Sequence, residues 1–88
     1  MKLEDVRKEI DALDPQIKTL ILRRMDCSLE VAKAKQAAGE TTIYRRDREK
    51  AILDRLGADV PADRLPEYLA VVRKIMETSR MFQYGLLF

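Results

Sequence analysis

The sequence predicts an all-α protein built from three helices, and three observations support that prediction. Apolar residues recur at intervals of three and four along most of the chain, as they do on the covered face of a helix. Only three glycines and three prolines interrupt the 88 residues. Apolar residues make up 47% of the chain and charged residues 36%, which is typical of amphipathic helices. Residues 1–88 are therefore expected to form one domain, whose core is small for folding as a monomer.

The first helix is predicted over about residues 3–38. Its apolar row reads Leu3, Val6, Ile10, Leu13, Ile17, Leu20, Cys27, Val31 and Ala34. Arg24 occupies the one position of this row that is not apolar. Gly39 follows the last turn of the pattern and is a suitable C-terminal cap. The helix is thus expected to present a long apolar face with a single cation in it.

Pro15 leaves two interpretations of this segment. Asp14 followed by Pro15 is a good cap and first residue for a new helix, and a proline inside a helix costs about 3 kcal/mol. Two shorter helices are therefore one alternative. A single kinked helix is favoured because the apolar row keeps its phase across the proline, from Leu13 to Ile17.

The second helix is predicted over about residues 43–56. Thr41 or Thr42 would cap its first turn, and Gly57 would close it. Its inward row reads Arg45, Glu49, Ile52 and Leu56. This row is apolar at one end and charged at the other.

The third helix is predicted over about residues 64–84, after a loop that contains Pro61. Asp63 would cap it, and Pro66 would lie in the first turn, where a proline removes no hydrogen bond. Its inward row reads Leu65, Leu69, Val72, Met76, Ser79, Gln83 and Leu86. Polar residues thus interrupt the inward face of this helix too.

Charge and composition argue against several classes of function. The net charge of +2 comes from 17 basic and 15 acidic residues that are interspersed, so there is no basic stripe for nucleic acid. Cys27 is the only cysteine and histidine is absent, which excludes a disulfide within the chain and argues against zinc or a histidine-activated nucleophile. No stretch resembles a signal peptide or a membrane span, so we expect a reducing cytoplasm.

Polar side chains on the inward rows suggest a site. Arg24, Glu49, Ser79 and Gln83 bring hydrogen-bonding groups from all three helices towards the interior, where each needs a partner. They could satisfy one another, with Arg24 paired to Glu49, or Arg24 could fix the register of a coiled coil. Four such residues on converging faces favour a polar pocket.

Helix geometry decides which cations can cooperate. Arg24 and Lys35 are eleven residues apart and point the same way, roughly 16 Å from each other, so they could grip a small molecule. Arg7 lies roughly 25 Å before Arg24 and is turned by about 100°, so the two cannot share a site within one chain. A helix about 50 Å long needs a partner. An antiparallel dimer could bring Arg7 of the partner subunit towards Arg24. For Arg7 or Lys35 taken alone, a solvated charge on a helix flank is the favoured interpretation.

Several motifs together resemble the all-helical chorismate mutases. Three segments resemble the first helix of that family: Leu3-Glu4-Asp5-Val6-Arg7-Lys8-Glu9-Ile10-Asp11-Ala12-Leu13-Asp14, then Arg23-Arg24, and then Glu30-Val31-Ala32-Lys33-Ala34-Lys35. Asp47-Arg48-Glu49 resembles its second-helix motif, and Ser79 with Gln83 resembles its third. The motifs occur in order over nearly the whole chain, which makes the set specific although no fragment is specific alone.

The resemblance implies an intertwined homodimer with two shared sites that convert chorismate to prephenate in phenylalanine and tyrosine biosynthesis. It implies that Arg24, Arg48 and Arg7 of the partner subunit bind the substrate carboxylates, and that Ser79 contacts one of them. Lys35 and Gln83 would hydrogen-bond the ether oxygen, and Glu49 would hold the ring hydroxyl. A [3,3] rearrangement needs no obligatory proton transfer, so no cofactor, metal or nucleophile is implied.

One departure from the family lies beside this site. Where many members carry an aspartate shortly before the Arg-Glu pair, this chain has Tyr44-Arg45-Arg46. Arg45 lies one helical turn before Glu49 in the predicted second helix, so it is expected to pair with Glu49 instead.

Two other functions remain open from the sequence. An isochorismate pyruvate lyase of the same fold would act on a similar dianion, and the run Arg23-Arg24-Met25-Asp26 is compatible with it. A non-catalytic helical dimerisation module would only satisfy its polar residues within the core. The apolar end of the chain, residues 82–88, is expected either to pack on the dimer or to continue into a fused enzyme of the same pathway.

Overall fold

A computed structural model describes all 88 residues and shows three α-helices, α1 (Leu3–Ala37), α2 (Arg46–Gly57) and α3 (Leu65–Leu87). There are no strands, so the predicted all-α class is confirmed. α3 packs against both α1 and α2, whereas α1 and α2 do not pack against each other. None of the helices combines the length and the apolarity that crossing a membrane requires.

α1 runs without a break through Pro15, so the alternative of two shorter helices is wrong. The proline has no N–H to donate to the preceding turn. Nearby side chains add hydrogen bonds to the backbone, since Thr19 Oγ1 donates to the Pro15 carbonyl at 3.0 Å and Gln16 Nε2 donates to the Ala12 carbonyl at 3.1 Å. The predicted continuity of the apolar row is therefore matched by a continuous helix.

Gly39 ends α1 as predicted. Its φ of +69° lies in the left-handed region, which favours glycine. The Gly39 N–H donates to the Gln36 carbonyl at 3.2 Å, and the Glu40 N–H donates to the Lys35 carbonyl at 2.8 Å. These two bonds form a Schellman motif, which satisfies the last carbonyls of the helix.

α2 begins at Arg46, three residues later than predicted, and Thr41 and Thr42 do not cap it. The Thr42 N–H instead donates to Glu40 Oε1 at 2.8 Å, which forms a turn directly after α1. Ile43 in this linker is buried, with 7% of its surface exposed. The turn and the buried side chain of Ile43 thus hold the backbone of the linker. The first backbone hydrogen bond of α2 runs from the Glu49 N–H to the Arg45 carbonyl.

α3 begins at Leu65 and extends three residues beyond the predicted end. Arg64 is the N-cap residue and no side chain caps the helix, so the assignment of Asp63 as the cap is wrong. Pro66 lies in the first turn as predicted.

The core of the chain lies between α2 and α3. Ile52, Val72 and Met76 form a buried cluster, against which three partly buried residues pack: Leu53, Leu56 and Tyr68. Gly57 allows the helices to approach closely, because a Cβ atom there would lie 3.2 Å from Leu69 Cδ2. The inward rows of α2 and α3 are confirmed where they form this cluster, whereas Leu86 is 42% exposed and was placed wrongly. Arg45 is the N-cap residue and not part of the helix as predicted, although it lies on the same side as Glu49 and Ile52.

The chain is elongated and its surface is large for its mass. Its radius of gyration is 16.2 Å, whereas a compact domain of this length would have about 12 Å. Its accessible surface is 7151 Å², against about 5,300 Å² for a compact monomer of the same mass. The apolar row of α1 contributes to this excess, because five of its nine residues are large and at least 49% exposed: Leu3, Ile10, Leu13, Ile17 and Leu20. This row is not covered by its own chain.

Candidate active site

A cavity of about 330 Å³ lies where the C-terminal half of α1 meets the start of α2 and the C-terminal half of α3. This volume is within the range of about 300–1,000 Å³ that is usual for small-molecule sites. The cavity wall includes the six residues that the sequence predicts for one subunit: Arg24, Lys35, Arg48, Glu49, Ser79 and Gln83. Arg7 is exposed on the N-terminal half of α1 and does not line the cavity.

Three cations in the cavity wall have no carboxylate partner within the chain. Arg24 and Lys35 lie on α1, and Arg48 lies on α2, and none of them forms a salt bridge. Lys35 Nζ donates to the Thr42 carbonyl at 2.7 Å, and this bond holds the ammonium group beside the linker between α1 and α2. Three uncompensated positive charges around one small hollow favour an anion with more than one negative charge.

Arg45 pairs with Asp47 and not with Glu49, so the predicted pairing is wrong. Arg45 Nη2 and Nε lie 3.0 and 3.2 Å from the two carboxylate oxygens of Asp47. This hydrogen-bonded pair raises the pKa of Arg45 and lowers the pKa of Asp47. The physical reason is that Arg45 is the N-cap, outside the helix, so the side-chain spacing of a helix does not bring it to Glu49.

Glu49 pairs with Arg80, a residue that the sequence analysis missed. Arg80 Nη1 donates to both carboxylate oxygens of Glu49, at 2.6 Å to Oε2. Donation of this hydrogen bond to the Glu49 carboxylate raises the pKa of the Arg80 guanidinium, whose central carbon also lies 4.4 Å from the centre of the Tyr44 ring. The suggested pairing of Arg24 with Glu49 is therefore wrong. Arg80 follows Met76 by four residues and precedes Gln83 by three, and this spacing could have placed it on the inward face.

A pair of hydroxyl groups links α1 to α3 at the cavity. Ser28 and Ser79 lie 2.6 Å apart between their Oγ atoms, and Ser28 Oγ is also 3.2 Å from the Arg24 carbonyl. Ser28 is buried and was not predicted, although it lies one turn after Arg24 on the same face. If Ser28 donates to the carbonyl, Ser79 donates to Ser28. Ser79 can then donate to a bound anion only after Ser28 turns its hydrogen towards Ser79.

Gln83 brings unused hydrogen-bonding capacity to the cavity. The residue is 8% exposed, and its Oε1 atom is buried without a hydrogen-bond partner. A buried amide oxygen without a partner costs about 1–3 kcal/mol. The amide group is thus available to a bound molecule, and a half-turn about the last side-chain bond would present the N–H₂ group in place of the oxygen.

Comparison of the sequence with known proteins identifies one protein family to which this chain is similar. Residues 6–84 match the sequence pattern described as chorismate mutase type II. The proteins named intracellular chorismate mutase of Mycobacterium tuberculosis and Mycobacterium bovis are 36% identical to this chain over 61 residues, which cover 66% of this chain and 57% of each relative. The protein of that name from Mycolicibacterium smegmatis is 37% identical over 54 residues, 61% of this chain and 51% of the relative. The matched segment thus spans little more than half the length of these relatives, and no solved structure matches the chain.

Proposed function

This chain belongs to the type II chorismate mutase family, and from that premise we propose that it converts chorismate to prephenate by a [3,3] rearrangement. Chorismate is a small dianion, and the product is consumed in phenylalanine and tyrosine biosynthesis. The observation that supports this function best is the group of three unpaired cations, Arg24, Lys35 and Arg48, around one cavity with the amide of Gln83. Such a wall is suited to binding a dianion that also carries an uncharged oxygen.

In this proposal two arginines hold the substrate in its reactive shape. Arg24 and Arg48 pair with the carboxylates, because a planar guanidinium can form two parallel hydrogen bonds to one carboxylate. Ser79 adds a contact to a carboxylate. Fixing both carboxylates holds the compact conformer in which the reacting carbons are close, so part of the entropic barrier is removed on binding.

Lys35 and Gln83 act on the bond that breaks. As the ether carbon–oxygen bond lengthens and the carbon–carbon bond forms, negative charge grows on the ether oxygen. Lys35 and the Gln83 amide donate hydrogen bonds to this oxygen, and these bonds strengthen towards the transition state. Glu49 holds the ring hydroxyl. The rearrangement transfers no proton, so these side chains act through position and charge alone.

We further propose that the working form is an intertwined homodimer. The apolar row of α1 is exposed, and the chain has about 1,800 Å² more surface than a compact monomer of its mass. An antiparallel pair of first helices would cover that row. It would also bring Arg7 of the partner subunit to each cavity as a further cation for the carboxylates. Residues 1–88 then act as one domain that shares its site with a second copy.

The names of the relatives support a proposal about the place of action. The proteins from Mycobacterium tuberculosis and Mycolicibacterium smegmatis are named intracellular chorismate mutases. We propose that this chain also acts inside the cell, in the cytoplasm.

One experiment tests the function directly. The purified chain is incubated with chorismate, product is identified by NMR, and solution mass is measured by light scattering on the same sample. We expect prephenate from a particle of twice the chain mass, and strongly reduced turnover for Arg48→Ala. The matched control is Arg55→Ala, two turns further along α2, because Arg55 does not line the cavity. A folded dimer without turnover would contradict the proposal. Release of pyruvate from isochorismate with no prephenate from chorismate would identify the lyase of the same fold instead.

A further inference from the structure

We infer that Arg80 is a specificity-determining residue, and that Arg80 and Glu49 together recognise the ring hydroxyl of the substrate. In this arrangement Glu49 accepts the hydroxyl hydrogen, and Arg80 donates an N–H to the hydroxyl oxygen. The inference rests on the proposed function and deepens it. It assigns a residue that neither the sequence motifs nor the inward rows include.

The first support is the number of donors that Arg80 leaves free. A guanidinium carries five N–H donors. Only Nη1 is engaged, by the two carboxylate oxygens of Glu49, and neither Nε nor Nη2 of Arg80 forms a hydrogen bond within the chain. The side chain lines the cavity and is 25% exposed. Free N–H donors of Arg80 therefore remain beside the Glu49 carboxylate at the cavity wall.

The second support is the way in which the guanidinium is held. Two contacts fix its position, the carboxylate of Glu49 and the ring of Tyr44, whose centre lies 4.4 Å from the guanidinium carbon. A guanidinium over an aromatic face is attracted by the negative charge of the ring face. The remaining donors thus have a defined direction before any ligand binds, which lowers the entropic cost of using them.

The charge of the pair explains why it is suited to a hydroxyl. Glu49 neutralises Arg80, so the pair as a whole attracts a carboxylate less than the unpaired Arg24 or Arg48 does. A hydroxyl group both donates and accepts, and the pair offers one acceptor and one donor side by side. The aspartate that many family members carry beside the hydroxyl is absent, and Arg45 is turned to Asp47. Arg80 thus provides a second hydroxyl contact beside Glu49.

Arg80 also lies in the wall between two hollows. Glu49, Met76 and Arg80 line both the cavity and a groove of about 530 Å³ on the other side of α2 and α3. Arg46 and Arg73 line that groove and would attract the Glu49 carboxylate. By binding both carboxylate oxygens, Arg80 keeps Glu49 at the boundary, where it can reach the substrate.

The test combines a substitution in the protein with a deletion in the substrate. Turnover of chorismate is compared with turnover of an analogue in which hydrogen replaces the ring hydroxyl, for the wild-type chain and for Arg80→Met. We expect Arg80→Met to lower kcat/KM for chorismate by about 10- to 100-fold, since a hydrogen bond to a charged group is lost. We expect kcat/KM for the analogue to change by less than about threefold, because the contact is already missing there.

Two further variants control the comparison. Arg73→Met removes an arginine two turns earlier on the same side of α3, which lines the groove but not the cavity, and should leave both substrates unchanged. Arg80→Lys keeps the charge but loses the planar fork, so it should retain part of the preference for the hydroxyl. This conservative variant also serves if Arg80→Met does not fold.

Equal losses on both substrates would overturn the inference, because they would show that Arg80 only supports the fold. Equal kcat/KM of the wild-type chain for chorismate and the analogue would overturn it as well, without any variant. If the wild-type chain turns over neither substrate, the proposed function fails separately. The inference is then decided by calorimetry with a cyclic dicarboxylate inhibitor with and without its hydroxyl, and equal Kd values would overturn it.

Discussion

The two halves of α1 carry the same kind of apolar pattern but have different surroundings. In the C-terminal half, Ser28 and Ala32 are buried, and Arg24 and Lys35 line the cavity. In the N-terminal half no residue is buried, and Ile17 is 51% exposed. A periodic apolar row therefore indicates that a face will be covered, but it does not indicate whether the cover comes from the same chain or from another.

The two halves also differ in what their charges can do. Two cations of the C-terminal half, Arg24 and Lys35, line a cavity that a single chain forms, whereas Arg7 in the N-terminal half lines no part of this cavity. If a second copy covers the exposed row, the two halves become parts of one site. The following predictions test that relation.

The largest effect is expected from a charge in the exposed row. Ile17→Asp should weaken dimerisation by at least about a thousandfold and abolish turnover, because an uncompensated buried charge costs about 3–5 kcal/mol in each subunit. Thr19→Asp, on the opposite side of the same turn, should leave the dimer intact. Sedimentation equilibrium measures both. A fully dimeric Ile17→Asp would show that the two halves of α1 are not joined through this face.

The next largest effect concerns the cavity half alone. Lys35→Ala should lower kcat by at least about a hundredfold, since loss of a donor to a developing anion costs on the order of 2.7 to 4 kcal/mol. The solution mass should not change. Lys33→Ala provides the matched control, because Lys33 is exposed and its ammonium group lies 3.5 Å from Glu30. A near-normal kcat for Lys35→Ala would contradict the role assigned to Lys35.

Mixing two weakened variants tests whether the N-terminal half of α1 in one subunit meets the C-terminal half in the other. Arg7→Ala and Arg24→Ala should each lose about 10- to 100-fold in kcat/KM, because each removes a charge-assisted contact to a carboxylate. After the two chains are unfolded and refolded together, mixed dimers contain one intact site, so about a quarter of the wild-type activity should return. Activity that stays at the level of the separate variants would contradict a shared site.

The smallest effect is expected at the end of the cavity half. Gly39→Ala should lower the free energy of unfolding by about 1–2 kcal/mol, because alanine is strained at a φ of +69°. Gly85→Ala, in α3 with no atom within 4 Å of the added methyl group, should raise it by about 0.5–1 kcal/mol. Urea denaturation measures both. An unchanged stability of Gly39→Ala would show that the last turn of α1 can rearrange.

Features that depend on neighbouring residues could be predicted from the sequence. The single helix through Pro15 followed from the phase of its row, and the cap at Gly39 followed from the conformations open to glycine. The start of α2 was predicted wrongly. Thr42 has the side chain of a good cap, but its N–H is bound by Glu40, and this turn delays the helix to Arg46.

The sequence alone indicated, from the spacing along three amphipathic helices, that Arg24, Glu49, Ser79 and Gln83 face a common interior and that Lys35 points the same way as Arg24. Arg48 was expected there only from the resemblance to the family. Only the tertiary structure decided how the charges pair. Glu49 meets Arg80, 31 positions away in the chain, because α2 and α3 pack through Ile52, Val72 and Met76. Helix periodicity acts within a few residues, whereas contacts between helices depend on how their faces fit together, and no local pattern contains that information.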